Sequence, residues 1–193
     1  MLHLVLGGAL SGKSSYSEKW LLEQKAHDPK NAIYVATAQA LDSEMKQRIE
    51  HHQLQRESNQ WQLIECPLLL SECLAGISEH EYILIDFLTL WLTNQLMVAI
   101  EGEPNETIIA AHLKSKINGL ISTLNDHTST IVLVANEVGL GVVPMGKESR
   151  IFVDHAGWLN QQIAQIADQV TLVTAGLPLV LKSIGKTEGI QRG

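Results

Sequence analysis

The chain has 193 residues, of which 45% are hydrophobic and 18% charged, and its formal net charge is -7. This length and composition favour one folded domain with a buried core, with two small domains as the alternative, and they argue against an intrinsically disordered chain. The acidic balance, with Lys and Arg scattered along the chain, argues against nucleic acid as a partner.

Short apolar segments alternate with helical patterns along the chain. The segments predicted as strands are short and apolar or alternating: 2–6, 32–36, 61–65, 82–86, 130–135 and 169–174. The segments predicted as helices lie between them: 13–26, 42–57, 88–100, 106–125 and 149–167. This alternation is typical of an α/β domain with a mostly parallel sheet flanked by helices. We expect one domain over residues 1–182 and a flexible, polar C-terminal tail over residues 183–193.

The first predicted strand leads directly into a phosphate-binding motif, GxxxxGK[ST]. Its residues are Gly7, Gly8, Ala9, Leu10, Ser11, Gly12, Lys13 and Ser14. The motif has the context it needs, because it follows a strand and opens a helix. The glycines let successive backbone N–H groups point inward, and the helix N-terminus adds positive charge. Lys13 is then expected to reach the β- and γ-phosphates, and the Ser14 hydroxyl to bind Mg²⁺. The motif predicts a P-loop nucleotide-binding domain.

A carboxylate is expected near this loop to complete the Mg²⁺ site. Asp86 closes the apolar strand YILID and is the best-placed candidate. The alternative is a solvated aspartate at the end of a strand, with no role in metal binding.

A histidine lies among arginines in the helical pattern near residue 50. Arg48, His52 and Arg56 are spaced by four and share one helical face, whereas His51 is rotated away by about 100°. Two arginines form an anion-binding face and favour a neutral imidazole by charge repulsion. A neutral imidazole can attack phosphorus and pass the bound group onward. Taken alone, a histidine on a polar helix is more often a surface residue.

The chain shows no sign of a targeting or membrane segment. Its first residues have no basic stretch before the glycine motif, and no apolar run approaches the roughly 20 residues that cross a bilayer. We therefore expect no membrane span and a cytoplasmic location. Cys66 and Cys73 are too few and wrongly spaced for a disulfide framework or a redox pair.

Six segments carry a resemblance that covers most of the chain. They are LVLGGALSGKS (4–14), YVATAQALDSEMKQRIEHHQLQR (34–56), DFLTLWLTNQL (86–96), NEVGLGVVP (136–144), HAGWLNQ (155–161) and LVTAGLPLVLK (172–182). In this order the chain resembles the bifunctional adenosylcobinamide kinase / adenosylcobinamide-phosphate guanylyltransferase family of cobalamin biosynthesis. The resemblance implies a RecA-like P-loop fold and a homotrimer.

The resemblance also implies two successive reactions. GTP or ATP phosphorylates the aminopropanol hydroxyl of adenosylcobinamide. GTP then guanylates a histidine, and the GMP passes to adenosylcobinamide phosphate to give adenosylcobinamide-GDP. The family's nucleophile corresponds to His52, with His51 as the alternative. Besides the P-loop, the implied nucleotide contacts are Ala36, Thr37, Ala38, Gln53, Leu54, Gln55, Arg56, Glu65 and Asp86.

The chain departs from the family's usual pattern at three places. Leu10 replaces an arginine of the loop, Met145-Gly146 replaces Glu-Asn, and Trp158 replaces another arginine. These departures bear on substrate contacts and lie away from Lys13 and His52. Asn136-Glu137, after the strand TIVLVA, is open to either capping and turn duty or substrate contact.

Two other functions compete with the bifunctional transferase. One is a single-activity P-loop kinase of another small metabolite, in which His52 is idle. The other is a nucleotide-dependent switch protein, but the chain has no NKxD motif of the kind that specifies guanine in such proteins.

Overall fold

The computed structural model describes residues 1–26, 28, 32–38, 61–102 and 105–183. These residues form one sheet with helices on both faces. The strands are β1 (Leu2–Gly7), β2 (Ala32–Ala36), β3 (Trp61–Glu65), β4 (Tyr82–Asp86), β5 (Thr130–Asn136), β6 (Gln169–Thr174) and β7 (Leu177–Lys182). The helices are α1 (Lys13–Lys25), α2 (Leu70–Ala75), α3 (Leu88–Gly102), α4 (Glu106–Asp126) and α5 (Lys147–Ile166).

The strand order is β3-β2-β4-β5-β1-β6-β7. Strands β1 to β6 pair in parallel, and β7 alone among these runs antiparallel, against β6. The prediction of an α/β domain with a mostly parallel sheet is therefore confirmed. Because parallel strands end at the same edge, the loops that follow β1, β2, β4 and β5 meet there, where ligands of such sheets bind.

The core has two layers, one on each face of the sheet. On one face α1 covers apolar side chains of the central strands, including Val5, Leu84 and Val134. On the opposite face α2 to α5 cover a larger apolar layer, in which Trp91 of α3 is almost fully buried. Burial on both faces explains why the central strands are continuous apolar runs.

The structure contains two elements that the sequence patterns did not predict. Helix α2 has six residues, which is too short to show a helical period. Strand β7 contains Pro178, and its apolar residues do not alternate with polar ones. A two-residue turn, Ala175-Gly176, joins it to β6 with φ of 50° and 76°, as in the tight hairpin turns that match strand twist.

The other boundaries agree within two residues. All six predicted strands are present, and α5 begins two residues earlier and ends one residue earlier than predicted. The predicted helix 42–57 and the tail from residue 184 onward lie outside the described residues. Among the helices that are described, none combines the length and apolar character needed to cross a bilayer.

Candidate nucleotide-binding site

The P-loop runs from the end of β1 to the start of α1, at the centre of the sheet. Gly7 pairs with Asn136 of β5 on one side and Val173 of β6 on the other. A Cβ atom on Gly7 would lie 2.4 Å from Ser11 Oγ and 2.6 Å from the carbonyl oxygen of Val173. Only glycine therefore fits at this position without displacing backbone.

Gly12 makes the turn into α1 with a positive φ of 90°, a conformation that favours glycine. No side chain caps the helix at this residue. The first-turn N–H groups of α1 thus remain available to an anion, which the helix dipole also attracts. The loop is held from outside by the β6–β7 turn, because Gly176 N donates to Ser11 O at 2.9 Å.

Lys13 is buried, and its ammonium group lies against the loop. Lys13 Nζ donates to the carbonyl oxygen of Gly8 at 3.0 Å. Burial lowers the pKa of Lys13, and the nearby Asp86 carboxylate partly opposes this shift. A phosphate bound in the loop would compensate the desolvated ammonium charge further. The position suits contact with nucleotide phosphates.

Asp86 lies at the end of β4, two strands away from β1, and is buried. Ser14 Oγ donates to Asp86 Oδ1 at 3.3 Å, and the Tyr34 hydroxyl donates to Asp86 Oδ2 at 2.8 Å. Neighbouring ligands of an octahedral Mg²⁺ lie about 3 Å apart, because each is 2.0–2.1 Å from the ion. The hydroxyl and carboxylate oxygens of Ser14 and Asp86 therefore fit two adjacent positions around Mg²⁺.

The segment Ala36-Thr37-Ala38 lies beside Asp86, since Ala36 pairs with it across β2 and β4. Thr37 Oγ1 donates to the carbonyl oxygen of Phe87 at 2.8 Å and accepts from Phe87 N at 3.0 Å. This hydroxyl is occupied by backbone groups, so its visible role is to join the ends of β2 and β4.

Glu65 is exposed at the end of β3 and pairs with Ala36. It lies at the same edge of the sheet as the P-loop but four strands away from β1. At the usual strand spacing this is about 19 Å. Any contact of Glu65 with a nucleotide would therefore involve the end opposite the phosphates.

His52 and residues 53–56 lie outside the described residues, as do Arg48 and His51. The structure brings together Lys13, Ser14 and Asp86. The role of His52 stays a prediction.

The sequence patterns missed two polar side chains at this edge. Tyr34 lies in the apolar strand AIYVA and reads as a core residue, because periodicity does not reveal where its hydroxyl points. Asn94, in α3, donates through Nδ2 to the carbonyl oxygens of Thr37 at 2.9 Å and Pro67 at 3.0 Å. Within the described part of the chain, no cluster of three or more His, Cys, Asp or Glu side chains suits a metal ion.

Comparison with known proteins shows which family the chain resembles. Residues 3–181 match the family model described as cobinamide kinase / cobinamide phosphate guanyltransferase. The chain is 42% identical to the bifunctional adenosylcobalamin biosynthesis protein CobP of Pseudomonas aeruginosa, over 94% of this chain and 98% of that protein. It is 37% identical to the bifunctional adenosylcobalamin biosynthesis protein CobU of Escherichia coli K12, over 94% of this chain and 100% of that protein. The chain therefore belongs to the cobinamide kinase / cobinamide phosphate guanyltransferase family.

Proposed function

We propose that this chain carries out both reactions of its family. It phosphorylates adenosylcobinamide with GTP or ATP, and then transfers GMP from GTP to adenosylcobinamide phosphate, giving adenosylcobinamide-GDP. The observation that carries the proposal is the convergence of Lys13, Ser14 and Asp86 at the end of β1, in a chain that matches the family over residues 3–181.

In the kinase step the P-loop holds the triphosphate while the acceptor hydroxyl attacks its γ-phosphorus. A bond forms between the hydroxyl oxygen and that phosphorus, the bond to the β–γ bridging oxygen breaks, and the hydroxyl proton is released. When the triphosphate binds, Lys13 Nζ donates to phosphate oxygens instead of to the carbonyl oxygen of Gly8. Negative charge grows on the leaving diphosphate during the transfer, and the ammonium group stabilises it. Ser14 and Asp86 would hold Mg²⁺, which neutralises phosphate charge.

In the guanylyl step a ring nitrogen of His52 attacks the α-phosphorus of GTP, and pyrophosphate leaves. A phosphate oxygen of adenosylcobinamide phosphate then attacks the same phosphorus. The N–P bond breaks, the imidazole is regenerated, and a diphosphate linkage forms. The arginine-flanked position of His52 and its match to the family motif support this assignment.

Labelling with α-³²P-GTP tests the covalent step. We expect a protein-bound label that survives base and is released by acid, as a phosphoramidate is. The label should vanish in His52→Ala and persist in His51→Ala, which is a matched control on the adjacent residue. If the label persists in His52→Ala, the assignment of this nucleophile is wrong.

A parallel incubation with γ-³²P-GTP and cobinamide separates the competing functions, because the kinase step transfers only the γ-phosphate. Phosphorylation of cobinamide without protein labelling would indicate a kinase restricted to the first step. Binding of GTP with neither reaction would indicate a switch protein. Either outcome would overturn the proposal of a bifunctional transferase.

We further propose a homotrimer in the cytoplasm, where GTP and ATP are present. The family resemblance supports the trimer. Four apolar side chains of β7 are more than half exposed and offer a surface for a subunit contact: Leu177, Leu179, Val180 and Leu181. Sedimentation equilibrium should give three times the chain mass of 21.3 kDa. A mass equal to one chain at micromolar concentration would contradict the trimer.

A further inference from the structure

The segment after β5 begins directly beside the P-loop. β5 lies between β1 and β4, and its last residue, Asn136, pairs with Gly7. The next residue is tied to the same glycine, since Glu137 N donates to Gly7 O at 3.1 Å. Side chains at this point lie next to the phosphate loop and at the same sheet edge as Asp86.

Two amide oxygens at this point are buried without a hydrogen-bond partner among the described residues. They are Asn136 Oδ1 and Asn160 Oδ1, and Asn160 is only 6% exposed. The two residues are adjacent, because Asn160 Nδ2 lies 3.5 Å from the backbone oxygen of Asn136. An unsatisfied buried acceptor destabilises the fold, because it has given up its hydrogen bonds to water. Buried polar atoms of this kind call for a donor that the chain does not supply, and a water or a ligand held at this edge of the sheet would supply it.

These contacts distinguish the two roles considered for Asn136-Glu137, which are turn formation and substrate contact. Glu137 serves the local turn, since its Oε1 accepts from Gly139 N at 2.6 Å. The side-chain oxygen of Asn136 has no such partner. Asn136 is thus the member of the pair whose side-chain oxygen takes no part in the local turn.

The loop that continues from this pair exposes apolar side chains. Val142 is 96% exposed and Met145 is 97% exposed, with Leu140 and Val143 also largely uncovered. Leu10, at the tip of the P-loop, is fully exposed as well. Single exposed apolar residues are common, but several within one short loop mark a binding surface.

We propose that Asn136, Asn160 and the loop 140–145 form the subsite for the corrinoid acceptor in the kinase step. This inference rests on the proposed function. Cobinamide combines a broad apolar ring with peripheral primary amides and a terminal hydroxyl. The amide and hydroxyl hydrogens match the two unpartnered oxygens, and the ring matches the apolar loop. A corrinoid held there has its hydroxyl beside the phosphate loop, as attack on the γ-phosphate requires.

The test compares corrinoid-dependent and nucleotide-dependent readouts in the same protein. The variants are Asn136→Leu, and the double variant Leu140→Ser with Val142→Ser. Met97→Ser, on the exposed side of α3, is the matched control for loss of an exposed apolar group. Cobinamide affinity is measured by equilibrium dialysis and by its KM in the kinase reaction. GTP affinity, thermal stability and sedimentation are measured alongside.

We expect Asn136→Leu to weaken cobinamide binding about tenfold, because one hydrogen bond is lost. The change in GTP affinity should be much smaller. Its Tm should not fall, since the substitution removes an unsatisfied acceptor; a merely structural asparagine would lower it. The double loop variant should also raise the cobinamide KM. Met97→Ser should change neither the cobinamide affinity nor the cobinamide KM.

Two results would overturn the subsite. One is wild-type cobinamide affinity in both variants of a protein that phosphorylates cobinamide normally. The other is a changed sedimentation mass of the loop variant with unchanged cobinamide affinity, which would assign the loop to a subunit contact. If the wild-type protein neither binds nor phosphorylates cobinamide, the proposed function itself fails together with the subsite.

Discussion

Lys13 lies buried against the loop that it closes, with its ammonium group on the carbonyl oxygen of Gly8. Its place in the motif indicated this position, because the spacing from Gly7 to Ser14 determines where a P-loop lysine points. Burial lowers the pKa of Lys13, but the group starts far above neutral pH. A charged ammonium is expected to meet the nucleotide phosphates.

We predict that Lys13→Ala weakens binding of GTP and of ATP by about 10- to 100-fold, since it removes charge-assisted hydrogen bonds to phosphate. Lys19→Ala is the control, because that side chain is 78% exposed on the same helix. Titration of a fluorescent nucleotide measures both. Unchanged affinity in Lys13→Ala would refute the assignment of the phosphate site.

Tyr34 acts on the same site through another residue. Its hydroxyl donates to Asp86 Oδ2 at 2.8 Å, while Ser14 occupies Oδ1. The ring packs edge-on against Trp61, with centroids 6.1 Å apart. Tyr34 is therefore a positioning residue that orients the Asp86 carboxylate toward the Ser14 hydroxyl.

We predict that Tyr34→Phe raises the Mg²⁺ concentration needed for half-maximal nucleotide binding by about fivefold, because the carboxylate loses one of its orienting hydrogen bonds. Nucleotide affinity without Mg²⁺ should change much less. Tyr82→Phe, at the opposite end of β4, is the control. An equal loss of affinity with and without Mg²⁺ would show that Tyr34 does not act through Asp86.

Among the secondary-structure elements, long helices were predictable from the sequence where the residues that mark their ends lie next to them in the chain. Helix α4 is the clearest case, because Asn105 Oδ1 accepts from Thr107 N at 2.9 Å and from Ile108 N at 3.4 Å. Its inward residues recur at helical spacing, which the sequence displays directly. Helix α2 and strand β7 carry no such local signal, and their formation depends on the elements beside them.

We predict that Asn105→Ala lowers the free energy of unfolding by about 1 kcal/mol, because the first N–H groups of α4 lose their acceptor. Asn118→Ala is the control within the same helix. That residue is exposed in the interior of α4, where alanine is the better helix former, so a small gain is expected. Urea unfolding measures the free energy of unfolding of both variants. Equal effects would show that Asn105 does not stabilise α4 as its N-cap.

His3 connects three elements of the molecule, because it lies in β1 and contacts both β6 and α1. Its Nε2 lies 2.9 Å from Thr171 Oγ1, and its ring contacts Trp20 with centroids 4.4 Å apart. The residue is fully buried, and burial lowers the pKa of His3 to about 4. The unfolded chain titrates near 6.5 and therefore takes up a proton first as the pH falls.

We predict that His3 lowers the free energy of unfolding at acid pH. Its full contribution to stability is present above about pH 6.5 and is lost as the pH falls toward 4, a loss of about 3 kcal/mol. Urea unfolding near pH 7.5 and near pH 4.5 should show a smaller acid loss in His3→Gln than in the wild type. Identical losses in the two proteins would assign the acid sensitivity to other groups.

Residue spacing was enough to predict the parts of the molecule that depend on neighbours along the chain. These are the P-loop from Gly7 to Ser14, the six parallel strands, the described helices α1, α3, α4 and α5, and the family. Local spacing is sufficient for them, because backbone geometry and helical or strand period act over a few residues. The carboxylate of Asp86 was also predictable, since it closes a fully apolar strand.

Which groups from distant parts of the chain come into contact depends on how the strands and helices pack. The packing of the sheet puts the Tyr34 hydroxyl on the Asp86 carboxylate, a contact that the sequence patterns did not predict. It also left the amide oxygens of Asn136 and Asn160 buried together beside the phosphate loop. These contacts join residues far apart in the chain, and their geometry follows from how strands and helices pack, which no local pattern encodes.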